Sequence, residues 1–132
     1  MSNFDAAASL APMTTTHKTA FPWARPTGTT VVNVDTLDNV FSRIDFADAP
    51  TLLKIDVQGH EWEVLQGAKH ALSQVQGVLL ELSLSPLYEG ERTASDIIAW
   101  LDSRGFRMVG VLDVLMSRER RVPLQFDALF MR

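Results

Sequence analysis

The stretch Thr51-Leu-Leu-Lys-Ile-Asp-Val57, followed by Gln58-Gly59-His60 and then Glu61-Trp-Glu-Val-Leu-Gln-Gly-Ala68, decides the architecture of this chain. Its first seven residues put apolar side chains on both faces of an extended segment, the pattern of a strand covered on two sides in a parallel sheet. From Glu61 to Gln74 the period changes. Trp62, Leu65, Ala68, Leu72 and Val75 recur at steps of three and four, which predicts an amphipathic helix packing back on the sheet. A strand followed by such a helix is a βα unit, and a strand buried on both faces requires further layers around it.

Working outward, Gly77 to Ser83 is a second apolar strand. Thr93 and Asp96 have the spacing of a capping box, opening a helix whose stripe is Ala94, Ile97, Ile98 and Leu101, and Gly105 closes it. Phe106 to Val114 and Gln125 to Met131 are two more strands, spaced as an antiparallel pair. Upstream, the β-branched run Thr29 to Val34 predicts a strand. Asp35 or Thr36 then caps a short helix through Arg43, with Phe41 and Ile44 facing inward, and Pro50 ends it by restricting the residue before it. Residues 1–28, with prolines at 12, 22 and 26 and no sustained period, form an irregular N-terminal arm, leaving 29–132 as the folded domain. The expectation is an α/β, Rossmann-like open sheet, mostly parallel with a C-terminal antiparallel pair. Ligands bind such sheets beyond the C-terminal ends of the parallel strands, which directs attention to Asp56–Glu61 and Glu81–Tyr88.

Composition narrows the function classes. The 132 residues are 46% hydrophobic and 21% charged, which suits one soluble globular domain. Sixteen acids against twelve bases give a net charge of -4, so neither nucleic acid nor an anionic membrane surface is an expected partner. Arg118, Arg120 and Arg121 read as a solvated turn. Without cysteine there is no disulfide framework or thiolate metal site, and His17, His60 and His70 lack the spacing of a zinc pair, so no metal is expected. No long apolar run or leader is encoded, which makes the cytoplasm the expected location.

Several side chains can carry chemistry. Lys54 and Asp56 lie two apart on a strand and share a face, where Asp56 can meet a ligand, pair with Lys54 or cap the next helix. Gly59 allows a tight turn and close approach of a ligand. Glu61 and Glu63 fall in the first helical turn, which the helix dipole favours. His60 titrates near neutrality and can act as a base or stand by. Glu81 interrupts a run of buried leucines, so it must be paired, protonated or turned to a cavity. Ser83, Ser85 and Tyr88 can hydrogen-bond a polyol. Trp62 and Trp100 fall with the core stripes.

Residues 52–68 resemble the central signature of FkbM-family methyltransferases. Val32-Asn-Val-Asp-Thr-Leu-Asp38, Glu81-Leu-Ser-Leu-Ser-Pro-Leu-Tyr-Glu-Gly90 and Phe126-Asp-Ala-Leu-Phe-Met-Arg132 resemble further pieces of it in the same order, and Ser9 to Met13 its serine-rich loop. The resemblance implies a class I methyltransferase fold, S-adenosylmethionine as donor and a small-molecule hydroxyl acceptor on a sugar or natural product. It places Asp56, Gln58 and Gly59 at the donor, and Glu61, Ser83 and Tyr88 at the acceptor. Asp56, His60 or Glu81 would take the proton. The family's first strand and glycine-rich loop have no counterpart in this sequence. The expectation is therefore the C-terminal half of the domain, weak or absent donor binding by this chain alone, and a homodimer or a partner supplying the other half. A non-enzymatic α/β interaction domain of the same descent is the alternative.

Overall fold

The computed structural model describes residues 8–45, 49–117 and 121–132. In chain order it holds α1 (Thr15–Ala20), α2 (Leu37–Phe41), β1 (Leu52–Ile55), α3 (Glu61–Gln66), α4 (Ala71–Gln74), β2 (Gly77–Ser83), α5 (Ala94–Asp102), β3 (Arg107–Met116) and β4 (Pro123–Met131). The four strands form one open sheet in the order β1-β2-β4-β3.

The sheet is mixed, which corrects the expectation of a mostly parallel one. Only β1 and β2 run parallel, whereas β4 is antiparallel to both β2 and β3. The reason lies in the connections. One helical crossover joins β1 to β2, while β3 turns back into β4, and that return strand inserts between β2 and β3.

Strand alternation separates the two faces. Ile55, Val78, Leu80, Leu82, Ala128 and Phe130 pack with Leu65, Leu72, Val75, Ile97, Leu101 and Phe106 into the main core. Trp62 and Trp100 lie partly buried against it, edge to face at 5.6 Å. The opposite face carries Lys54 on β1, Leu79 and Glu81 on β2, and Leu129 and Asp127 on β4. The strand at 51–57 was expected to be covered on both faces. Instead Leu52 is 55% exposed, and β1 has β2 as its sole neighbour among the described residues.

Several local expectations give way to tertiary context. Residues 29–34 form no strand and lie exposed, since β-branched residues favour a strand only where a neighbour offers a ladder. The helix expected over 61–74 is two helices, α3 and α4, broken after Gln66. Asp38 holds the break: its Oδ1 accepts from the amides of His70 (2.9 Å) and Ala71 (2.8 Å), capping α4 from another element. Thr36 caps α2, which ends at Phe41; Phe41 is buried but Ile44 is 48% exposed, because the chain leaves the helix before it.

Between residues 8 and 28 the arm, expected to be irregular, carries the helix α1. Thr14 caps α1, and a bridge between Met13 and Tyr88 pins the arm to the loop after β2. Met13, Ala24, Leu87 and Tyr88 make a second small core there. Arg118 and Arg120 lie outside the described residues.

Candidate active site

Beyond Ile55 the chain must turn from β1 into α3 within a few residues. It does so with two consecutive residues in the left-handed region, Gln58 (φ 52) and Gly59 (φ 95). A Cβ on Gly59 would stand 2.7–2.8 Å from Tyr88, so the turn is pressed against that side chain. Glu61 fastens the turn from below: its Oε1 accepts from the Val57 amide (3.1 Å) and its Oε2 from the Gly59 amide (3.1 Å). Burial raises the Glu61 pKa, and the backbone amides oppose that rise.

Gln58 is the hub of the site. Its Nε2 donates to Asp56 Oδ1 (3.0 Å) and to Glu81 Oε2 (3.2 Å), joining carboxylates at the ends of the two parallel strands. The Tyr88 hydroxyl donates to Gln58 Oε1 (2.9 Å), which fixes the orientation of the amide, and Ser9 Oγ donates to the Gln58 carbonyl. Burial raises the Tyr88 pKa, so it stays a neutral donor.

Glu81 sits where negative charge accumulates. Its cross-strand partner is Asp127, whose partner on β3 is Asp113, and Asp56 follows the Ile55–Leu80 pair on β1. Four carboxylates thus run in a row across the sheet, with Lys54 paired to Asp56 at 3.3 Å. Burial first, and then the charges of Asp56, Glu61, Asp127 and Glu91, push the Glu81 pKa up to about 7. Asp127 is raised as well, chiefly by burial. Gln125 Nε2 donates to Glu81 Oε2 (3.1 Å) and to Ser83 Oγ (3.1 Å), and the Ser83 hydroxyl donates to Glu91.

A groove of about 950 Å³ runs along the free side of β1, between that strand, α3 and the segment 34–39. Asp56, His60 and Glu63 line it together with Lys54, Leu53 and Val57.

The structure brings Asp56, Gln58, Gly59, Glu81 and Tyr88 into one network, with Asp56 and His60 on the groove. Glu81 reaches the network from the next strand and does not line the groove. Glu61 and Ser83, expected at the acceptor, are both buried, with their oxygens committed to backbone amides and to Gln125 and Glu91. Gln125, Glu91 and Ser9 complete the network; sequence reading missed Gln125 and Glu91, and it named Ser9 only as part of the stretch that resembles the family's serine-rich loop. For Gln125 a signal exists: alternation along Gln125-Phe-Asp127 puts two polar side chains on one face of an otherwise apolar strand. Among the described residues no group of His, Cys, Asp and Glu could hold a metal ion, and no helix is long and apolar enough to cross a membrane.

No curated protein and no solved structure matches this chain. The model of one family does: the methyltransferase FkbM domain, over residues 2–108, which takes in β1, the Gln58–Gly59 turn, β2 and α5 and ends at the second residue of β3. With most of its length matched, and with Asp56, Gln58, Gly59, Glu81 and Tyr88 inside the matched region, this chain belongs to the FkbM methyltransferase family.

Proposed function

We propose that this chain forms the acceptor side of an S-adenosylmethionine-dependent O-methyltransferase that acts on a hydroxyl group of a sugar or natural product. The observation that carries the reading is the Gln58 amide bridging Asp56 and Glu81 at the C-terminal ends of the parallel pair, where open α/β sheets bind ligands.

The residues present fit one end of the donor. S-adenosylmethionine carries a positive sulfonium, and Asp56 and Glu81 hold negative charge beside the turn. Its adenosine end has no glycine-rich loop to receive it in this sequence, and the free side of β1 is where a further strand bearing such a loop would join. In that arrangement the 132 residues are the C-terminal half of the domain. Bound there, the donor supplies a methyl group to the acceptor oxygen.

The chain's own residues do the rest. Glu81, with a pKa of about 7, is partly ionised near neutral pH and can take the acceptor's proton, as a base matched to the operating pH should. Gln58 holds one Glu81 oxygen in place, and Tyr88 holds Gln58. Asp56 and His60 line the groove itself, so an acceptor hydroxyl seated there meets them first, and Glu81 serves as base for an acceptor that reaches past the Gln58 turn.

Calorimetric titration of the purified chain with S-adenosylmethionine and with its demethylated product, beside a sizing run at the same concentration, tests this. Saturable micromolar binding supports the enzyme reading. No binding at millimolar donor leaves this chain without donor affinity of its own. It then favours a second reading, a non-enzymatic interaction domain, which the unpaired side of β1 and the apolar surface of β3 support.

A further inference from the structure

The outer strand β3 is the least covered part of the sheet. Seven of its residues, Met108, Val109, Val111, Leu112, Val114, Leu115 and Met116, are large, apolar and between 39% and 62% exposed. An edge strand of this length and character normally invites another strand or surface, and soluble proteins blunt such edges with charge, proline or bulges. Here β4 pairs with β3 through register shifts that skip Val109 and Leu112, and those two are the most exposed of the seven.

The sequence of the strand selects what covers it. Arg107-Met108-Val109-Gly110-Val111-Leu112-Asp113 is symmetric about Gly110: valine on either side, then a long apolar residue, then opposite charges. Laid antiparallel against a copy of itself with Gly110 at the two-fold axis, Val109 meets the partner's Val111 and Met108 meets the partner's Leu112. Arg107, which within the chain pairs with Asp102, also comes beside the partner's Asp113, twice over. A two-fold interface demands this kind of self-complementarity, and opposite charges directly across a strand pair favour one register over those that set like charges together. Arg107 and Asp113 pair with Met131 and Asp127 of β4, which lie on the same sheet face, as facing partners must. Gly110 has nothing within 4 Å of where a Cβ would stand, so the crossing point is open.

The seven half-exposed apolar side chains offer roughly 80 Å² each, so roughly 1,100 Å² over two copies is the most they can contribute, close to the lower end of specific interfaces at about 1,200 Å².

We infer that two copies of this chain associate through β3, antiparallel about Gly110, with Arg107 of each beside the partner's Asp113. The chain contains no cysteine, which makes a direct test clean. Gly110→Cys places two thiols at the axis, and mild oxidation at low micromolar concentration should give a covalent dimer, while Ser103→Cys, on an exposed residue beyond α5, should not. In sedimentation the unmodified chain should be dimeric. Asp113→Arg should weaken the dimer at least tenfold, and Arg107→Asp combined with Asp113→Arg should restore it. Far-ultraviolet circular dichroism on each variant shows that it is folded. A chain that is monomeric at 100 micromolar, or a dimer indifferent to both charge changes and to the position of the cysteine, overturns the inference.

Discussion

Gln58 Nε2 donates to Glu81 Oε2 across 3.2 Å, tying the turn after β1 to the C-terminal part of β2 with a single amide. The same nitrogen reaches Asp56, so one neutral group stands between two carboxylates that would otherwise repel across adjacent strands. Replacing it with an apolar isostere, Gln58→Leu, removes a donor from Glu81 and leaves the Tyr88 hydroxyl with only its longer contact to His17 Nε2 at 3.5 Å. The expected outcome is a loss of about 1–3 kcal/mol in urea unfolding. The Glu81 pKa should also rise further, read from its side-chain carboxyl carbon by NMR, because the charged form loses a hydrogen bond. A Glu81 titration unchanged in Gln58→Leu would mean that the amide does not hold it.

The next prediction concerns the contact between the turn and Tyr88. Gly59→Ala meets two penalties: a left-handed conformation that costs an L-residue about 1–2 kcal/mol, and a methyl group forced against Tyr88, with overpacking of about 1–3 kcal/mol. Gly90 has a similar positive φ but open space around it, so Gly90→Ala carries the first penalty alone. Denaturant midpoints for the two variants therefore separate backbone strain from crowding. Equal losses would show that Tyr88 yields without cost.

The elements nearest this turn were the most legible in the sequence. β1, β2 and α5 follow from local pattern: an apolar run of strand length, a three-and-four stripe, a capping box at Thr93. What failed depended on partners that lie far along the chain. Thr29 to Val34 has strand-forming residues but no ladder to join. The stripe from Trp62 to Val75 predicted one helix, and nothing in it announces that Asp38, more than thirty residues upstream, caps a second start at His70 and Ala71. The candidate site divides the same way. Asp56, Gln58, Gly59 and Glu81 were found from strand ends and the resemblance. Gln125 reaches Glu81 only because β4 inserts antiparallel beside β2, and that register is not written in either strand alone.

Stability should fall as pH rises through the range of the Glu81 titration. Its folded-state pKa, about 7, lies above the ordinary 4.5, so the folded chain holds this proton more tightly than the unfolded one. The contribution is fully present below pH 4.5 and is lost as pH rises through about 7. Glu61 and Asp127, also raised, act with the same sign. His17 acts oppositely: burial lowers its pKa from 6.5, so its contribution is present above that pH and is lost on acidification. Glu81→Gln takes away the Glu81 titration and leaves the other three in place. It should raise stability at pH 8 by about 1–2 kcal/mol after allowance for solvent screening, and make no difference below pH 4.5. Thermal melts of both proteins at pH 4.5, 6 and 8 read this directly. A gap that is constant with pH would place the effect in packing.

Asp38 offers a test of how the wall of the groove is built. Its Oδ1 accepts from two amides at the start of α4, while its own amide donates to the Gly67 carbonyl at the end of α3. Leu37 and Gly67, both lining the groove, are thereby held on either side of this joint. Asp38→Ala frees the two amides and should cost about 1–2 kcal/mol, the scale of a lost helix cap. Its effect should be largest on hydrogen exchange at Ala71. Asp38→Asn keeps an acceptor oxygen and drops the charge, so it should recover most of that loss if capping dominates. If instead the acid acts through the dipole of α2, whose first turn it also occupies, Asn should be as damaging as Ala and exchange at Ala71 should stay slow in both.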